Sequence, residues 1–521
     1  MNENDDREIP ATNGRTVERK RNHHRRYPSL SKYVFLTGAT GLVGRYLIRD
    51  LLLQGCQLVV LVRSTMHHSP QERLEAILQR WEKELGKLLP RPVCLEGDVC
   101  QENLGLDSRQ MQWVEAHCDT MLHNAAVLTF YGSDRSADPW RTNVGGTQHV
   151  LDFCSRVGLR DLHYVSTAYV CGNREDRVME DELDPHCGFR NDYEESKYLA
   201  EKLIREADFL DQLTIYRPAV IAGDSQTGYT NTYHGLYMYL KLISVLVRNA
   251  HPDDNGVRDT PVRLNMTGDE PRNIVPVDWV SKVICHLFNT PAAHGGVYHL
   301  APEQPLTPRE IVDAGYKYFN SRGVEFAGKD SEEHAPISDI DQALHENKAI
   351  YQPYEASDPC FDVSELRRMA GHLPCPVIDV AMLHRFWNYG EEDRWGKRRE
   401  TQPSTDFWVS EYLSKLECSV PDSARGNGDH VEPVSFGLNV LGPGGGQWRL
   451  TVCKSQVSEV VPGLPSHGPI LTFRSDILAS ACSGDPSQND DLTAMVGEAS
   501  DGSLNDRTAQ QIADSLFGVS S

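Results

Sequence analysis

The sequence has no stretch able to cross a bilayer as a helix. No window holds the ~20 apolar residues of a membrane span, and its greasiest run, Leu236–Val247, is interrupted by Lys241. It also lacks a cationic excess. Lys and Arg number 52 against 74 Asp and Glu, for a net charge of −22, which argues against nucleic acid as the main partner. The 13 cysteines are odd in number and scattered. None stands with histidine at zinc-site spacing, so no metal is expected, and the cysteines read as reduced thiols of a cytoplasmic protein. His23–His24 and His67–His68 lie in polar stretches and read as solvated. Residues 1–30 carry Arg15, Arg19, Lys20, Arg21, Arg25 and Arg26. Arg25–Arg26 is reminiscent of a twin-arginine signal, but no h-region follows, so export is not expected. The segment reads as a disordered basic arm, with contact to anionic lipid a lesser possibility.

The chain is organised around Tyr33 to Thr65. A short apolar run, Val34–Leu36, suits a buried strand. TGATGLVG at 37–44 follows, with glycines at 38, 41 and 44, then a helical pattern with Val43, Leu47 and Leu51 on one face and Gly55 placed to stop it. A second apolar run, Leu58–Val62, ends in Arg63. This is a βαβ unit of the length a dinucleotide site needs. Glycines let the backbone turn tightly and approach a pyrophosphate, and the helix start offers free N–H groups and partial positive charge. An acidic residue after the second strand would hold a ribose 2′-OH; Arg63 suits a 2′-phosphate, so NADP(H) is expected.

Further along, Ser69-Pro70-Gln71-Glu72 reads as a helix start with Ser at the cap and Pro at N1. Helical spacing continues until Pro90. Further strands are expected at Val93–Leu95, Thr120–Leu122, Leu162–Val165, Leu213–Tyr216 and near Val297–Leu300, with helices at Asn143–Cys154 and Tyr193–Ala207 between them. Strands alternating with helices imply an α/β fold with a doubly wound parallel sheet, whose ligands bind at the strand carboxyl ends. Residues 305–395 read as helices and loops that cap the sheet. Residues 396–433 read as a helix and a linker, the latter at 421–433. Residues 434–521 read as a small α+β domain, opened by a hairpin at Val434–Val440 and Trp448–Val452.

Tyr193 and Lys197 form a Tyr-x-x-x-Lys pair. On a helix these lie on one face, and the ammonium would favour the phenolate, so the phenol can pass a proton near neutral pH. Ser166, at a strand end one crossover earlier, can hydrogen-bond a carbonyl oxygen and steady developing charge.

With TGATGLVG at 37–44, GDV at 97–99, HNAA at 123–126, NVGGT at 143–147, YVSTAYV at 164–170, YEESK at 193–197 and YRP at 216–218, the chain resembles the extended short-chain dehydrogenase/reductases over about residues 31–395. The resemblance implies Ser166, Tyr193 and Lys197 as the catalytic set, and Asn143 as holder of a supporting water. It implies a nicotinamide cofactor bound by Thr37, Gly38, Thr40, Gly41, Leu42, Val43, Gly44, Asp98, Val99, Asn124, Ala125, Ala126 and Pro218, with Tyr193 and Lys197 beside the nicotinamide ribose. RPAVIAGDSQTG at 217–228 and FDVSELRRMAG at 361–371 are similar to stretches of the fatty acyl-CoA reductase and carrier-protein thioester reductase group, although Ala219 stands where that group usually has Ser. That group implies NADPH-dependent reduction of an acyl-CoA or acyl-carrier-protein thioester to aldehyde or alcohol. On the same scaffold a nucleotide-sugar epimerase or dehydratase, a hydroxysteroid-type dehydrogenase, or a non-catalytic NADP- or lipid-binding module stays open. The tail is similar to a sterol-carrier-type lipid-binding domain, which implies that it captures the acyl chain; a docking or solubilising domain is the alternative. Tyr229–Val247 is expected to form an apolar trough for that chain, with tyrosines at its rim.

Overall fold

The computed structural model describes residues 32–517 except 185–187, 329–336, 339–341, 343–356, 399–404, 419–432, 454–455, 483–495, 497, 501–503 and 505. The basic arm and residues 421–432 of the linker lie outside the described residues.

Seven parallel strands form the central sheet. From one edge to the other they are Val297–Leu300, Gln212–Pro218, Asp161–Val165, Cys118–His123, Tyr33–Thr37, Leu58–Val62 and Val93–Glu96. The strands Tyr33–Thr37 and Leu58–Val62 are buried along their whole length, as near-continuous apolar runs between two helical layers must be. Strand order reverses direction beside Tyr33–Thr37, which opens a crevice at the carboxyl ends there. The helix Pro70–Leu85 starts as expected, with a capping box between Ser69 and Glu72 and proline in its first turn, but ends earlier, at left-handed Gly86 rather than at Pro90. Arg91 then forms buried ion pairs with Glu75 and Glu82, which tie this helix to the following strand. A π-turn, Arg141–Gly145, precedes the helix Gly146–Val157. Among the described residues no helix is long and apolar enough to cross a membrane.

The tail is a four-stranded sheet. Val434–Leu441 and Gly446–Cys453 form the expected hairpin, Gln456–Pro462 extends it antiparallel, and Ile470–Arg474 adds a parallel edge. Phe436, Leu438, Val440, Leu450 and Val452 make its inner face. The helices Val409–Cys418, Ser475–Cys482 and Asp506–Phe517 cover that face. Val409 and Leu413 are buried in this core, so a helix read from sequence as a connector is part of the tail.

The tail docks on the amino ends of the central strands. The Trp113 indole donates to the Pro462 carbonyl at 2.7 Å. The Tyr33 hydroxyl donates to Gln447 Oε1 at 3.1 Å and accepts from the Leu464 amide at 2.7 Å. Gly463 has a φ of +88°, and a Cβ there would stand 2.7 Å from the Trp113 ring, so only glycine allows so close an approach. Trp113→Ala should therefore lower stability by about 3–5 kcal/mol and loosen the tail. The check is a urea titration with limited proteolysis: an unchanged midpoint and an uncut tail would mean that Trp113 does not hold the tail in place.

Candidate active site

One cavity of about 1470 Å³ lies along the carboxyl ends of the sheet. It exceeds the roughly 300–1,000 Å³ of a site for a single drug-sized ligand. Gly38, Thr40, Gly41, Leu42 and Val43 border it at one end, Asp98, Val99 and Asn124–Ala126 at its side, and Tyr193, Lys197 and Pro218 at its centre.

The glycine turn fits a bound pyrophosphate. Gly38 has φ of +69°, and a Cβ there would lie 2.6 Å from the Ala125 nitrogen. The helix Leu42–Leu53 begins at Gly41 with no side-chain cap and no acidic residue in its first turn. Its first N–H groups and positive dipole end are thus left to an anion. Two residues expected at the cofactor stand outside the cavity lining. Thr37 is fully buried; its hydroxyl pairs with His123 Nδ1 at 2.8 Å and accepts the Asn124 and Ala125 amides at 3.2 Å. Gly44 serves close packing, since a Cβ there would lie 2.1 Å from the Gly38 oxygen.

Arg63 borders the cavity, is well exposed, and stands 3.6 Å from Asp98 Oδ2. Arg73, which sequence reasoning passed over, joins it. From the first turn of Pro70–Leu85, its guanidinium reaches back to donate to the Arg63 carbonyl and, at 3.0 Å, to Thr40 Oγ1. The available signal was the capping box itself: it starts this helix just after Arg63 and turns its fourth residue towards the glycine loop.

The helix Asp192–Arg205 carries the central pair. Asn191 caps it, accepting from the Glu194 amide. The π-turn grips it from the side: Asn143 Nδ2 donates to Ser196 Oγ at 2.9 Å, and Ser196 Oγ donates to the Tyr193 carbonyl at 2.7 Å. The Asn143 amide also pairs with both backbone groups of Val127. Its side chain thus fixes the loop after His123 and the helix start.

The structure arranges the catalytic candidates differently from expectation. Lys197 is buried and donates to the Tyr164 hydroxyl at 2.6 Å and the Val165 carbonyl at 2.9 Å. Burial pushes its pKa down to about 7, against the pull of Glu201. Tyr193, edge-on to Phe130, has its phenol pKa pushed above the ordinary value by burial and by Glu194; the expected lowering by Lys197 does not appear. Ser166 also borders the cavity. Its hydroxyl donates at 2.6 Å to Glu201, whose carboxylate is paired with Arg217 in full burial. Burial would raise the Glu201 pKa, but Arg217, Arg205 and Ser166 together hold it below the usual range. The neighbouring Thr167 borders the same cavity. Its hydroxyl makes only long contacts among the described residues, 3.4 Å to the Pro218 carbonyl and 3.4 Å from the Tyr169 amide.

Beyond Tyr193 the cavity turns apolar. Leu236, Met238, Tyr239, Leu242, Ile243, Leu246 and Val247 line it opposite Val262, Leu264 and Ile311. Within the expected trough the apolar lining comes from the helix Leu236–Asn249, with Thr232, His234 and Gly235 bordering the cavity just before it. Tyr229 and Tyr237 are core instead: Tyr229 lies under the Arg80 guanidinium, and the Tyr237 hydroxyl donates to the Gly228 carbonyl. The tail lies at the opposite end of the strands, so it is not placed to hand a chain into this trough, contrary to expectation.

Residues 36–284 match the family model described as Male sterility protein, an NAD-binding domain. Over 405 residues the chain is 30% identical to the non-canonical nonribosomal peptide synthetase FrzA from Cladobotryum sp, covering 69% of this chain and 36% of that protein. It is 27% identical over 402 residues to aldehyde reductase lnaA of Aspergillus flavus, covering 68% of this chain and 36% of that protein. The chain thus spans about a third of the length of either relative. The solved terminal R domain from the myxalamid PKS-NRPS biosynthetic pathway superposes with a TM-score of 0.56 at 26% identity, covering 72% of this chain and 94% of that one.

The electrostatics set a pH dependence. If Tyr193 gives up its proton in turnover, the phenolate left behind is one that a charged Lys197 on the same helix would stabilise. Above about 7 the ammonium loses its proton, so turnover in the reductive direction should fall as pH rises through that value. Tyr193→Phe should cut turnover by orders of magnitude with cofactor binding kept, and Lys197→Met should remove the alkaline limb. A profile of kcat/KM that stays level to pH 9 would show that Lys197 keeps its charge throughout.

Proposed function

We propose, from the premise that residues 36–284 form an NAD(P)-dependent oxidoreductase domain of the extended short-chain dehydrogenase/reductase family, that this protein reduces acyl thioesters with NADPH. The supporting observation is the continuity of one cavity from the glycine turn, past Tyr193, into the apolar trench of Leu236–Asn249. That shape suits a dinucleotide at one end and an apolar acyl group at the other. A sugar diphosphate would call for cationic groups turned to its phosphates; Arg190, Arg263 and Arg272 border the cavity, but Arg190 is paired with Glu194 and Asp358 and Arg263 with Glu325.

When bound, the nicotinamide supplies a hydride to the thioester carbonyl carbon. Tyr193 donates the proton to the carbonyl oxygen, Lys197 stabilises the phenolate left behind, and Thr167 takes the hydrogen-bonding role first read onto Ser166. Ser166 and Glu201 hold the strand end beneath it. Collapse of the resulting hemithioacetal gives an aldehyde and a free thiol, so no cysteine nucleophile is needed. Relatives named as a nonribosomal peptide synthetase and an R domain favour a thioester on a carrier protein's phosphopantetheine arm over free acyl-CoA.

The test is purified protein with NADPH and acyl-pantetheine, acyl-carrier and acyl-CoA thioesters of graded length, with aldehyde trapped as product. Long-chain thioesters should turn over best, and removing residues 405–521 should leave that preference unchanged. Turnover of sugar nucleotides or steroids, with thioesters inert, would refute the reading.

Cofactor choice is assigned to Arg63 and Arg73: the Arg73 guanidinium donates to Thr40 Oγ1 and to the Arg63 carbonyl, and the Arg63 side chain borders the same cavity, where a 2′-phosphate would sit. Charge-assisted bonds of this kind are worth about 1.5–3 kcal/mol. Arg63→Glu and Arg73→Ala should each weaken NADPH binding by about tenfold to a hundredfold and leave NADH nearly unaffected. Equal losses for both cofactors would show that neither arginine reads the phosphate.

A further inference from the structure

We propose that Asp161, His163 and His294 form a binding site for a divalent transition metal, with zinc the best fit, at the end of the sheet opposite the active site. Asp161 and His163 are two apart on one strand and so project from the same face. His294 follows the turn Pro291–Ala293 that leads into the edge strand. One ligand atom from each residue lies within 4.8 Å of the others, and the two imidazole rings meet edge-on at 4.7 Å.

Two atoms facing the gap have no hydrogen bond among the described residues. His163 is fully buried, yet its Nε2 is unsatisfied; it faces Asp161 Oδ1 across 3.5 Å, and that oxygen is unsatisfied too. Leaving such groups without a partner in the interior costs roughly 1–3 kcal/mol each. The other ring nitrogens are already held. His163 Nδ1 lies 2.8 Å from the Tyr216 hydroxyl, and His294 Nε2 lies 2.8 Å from the Phe288 carbonyl. With protons on those two atoms, the lone pairs of His163 Nε2 and His294 Nδ1 point to the gap, the arrangement by which outer partners orient metal-bound histidines.

Two imidazoles and one carboxylate, with a water in fourth place, is a donor set zinc accepts. Zinc bonds of about 2.0–2.2 Å ask the side chains to close by about 1 Å. Asp161 is 28% exposed on its side chain, which gives the ion a way in. The site would pin the turn before the edge strand to the strand Asp161–Val165. No spacing motif announces it, because one ligand comes from far along the chain.

The probe is Zn²⁺ alone, titrated into chelator-stripped full-length protein against a chromogenic competitor, with Tm followed in parallel. His163 is too deeply buried to replace safely, so His294→Gln and Asp161→Asn carry the comparison. Wild type should hold one equivalent more than either variant, or bind it at least tenfold more tightly, and zinc should raise Tm in wild type only. Equal stoichiometry, affinity and Tm response in all three proteins would place the zinc on surface histidines and overturn the proposal, as would absence of binding to wild type.

Discussion

Where the strands Tyr33–Thr37 and Cys118–His123 end side by side, the backbone of Gly38 lies against that of Asn124 and Ala125 with no room for a side chain. The Asn124 amide group donates to the Gly38 carbonyl, and Thr37 bridges His123 and the two amides beyond it. This contact holds the glycine turn open towards the crevice and fixes the loop that follows His123. That loop is in turn held by Asn143, which also grips the helix of Tyr193. The positions of glycine turn, loop and Tyr193 are therefore one linked geometry, and a shift at Gly38 is felt at Tyr193.

Beneath Tyr193 and Lys197 lies a layer of buried charge. Glu201, one turn after Lys197, pairs with Arg217, Arg205 and the Ser166 hydroxyl. Breaking such a pair by removing one partner strands a charge in the interior, which is strongly destabilising. The layer holds three elements together, the helix Asp192–Arg205 and the strands ending at Val165 and Pro218. It also sets a negative charge where it opposes the loss of the proton from Lys197. Rigid support and electrostatic tuning come from the same carboxylate.

The parallel sheet was legible because a strand buried on both faces must be a short unbroken apolar run, and each such run here lies between turn signals. The glycine turn was legible for a similar reason: its residue types follow directly from backbone sterics. What sequence could not give was side-chain direction. Ser166 and Thr167 are adjacent at a strand end, and successive side chains there point opposite ways. Both border the cavity, and only the position of Glu201 shows that the Ser166 hydroxyl is already held while that of Thr167 makes long contacts. Arg73 was hidden because helix position, not residue type, brings it to Thr40. The Tyr229–Val247 stretch mixed a core segment with a lining helix, since apolar composition alone does not distinguish a surface buried by protein from one left open to a ligand. The tail's strands were legible from alternation, but its docking site was not, because Trp113 and Tyr33 look like ordinary core residues until Pro462 and Gln447 are set beside them.

That docking has a consequence for synthesis on the ribosome. Trp113 and its acceptor Pro462 are 349 residues apart. At about 5–20 residues per second, Trp113 waits roughly 20–70 s for the segment that covers it. During that interval the sheet can close around its own core, while an aromatic patch at its base stays open to chaperones or to other nascent chains. The tail is thus a late seal on an early-built unit, and the cell meets this protein first in its unsealed form.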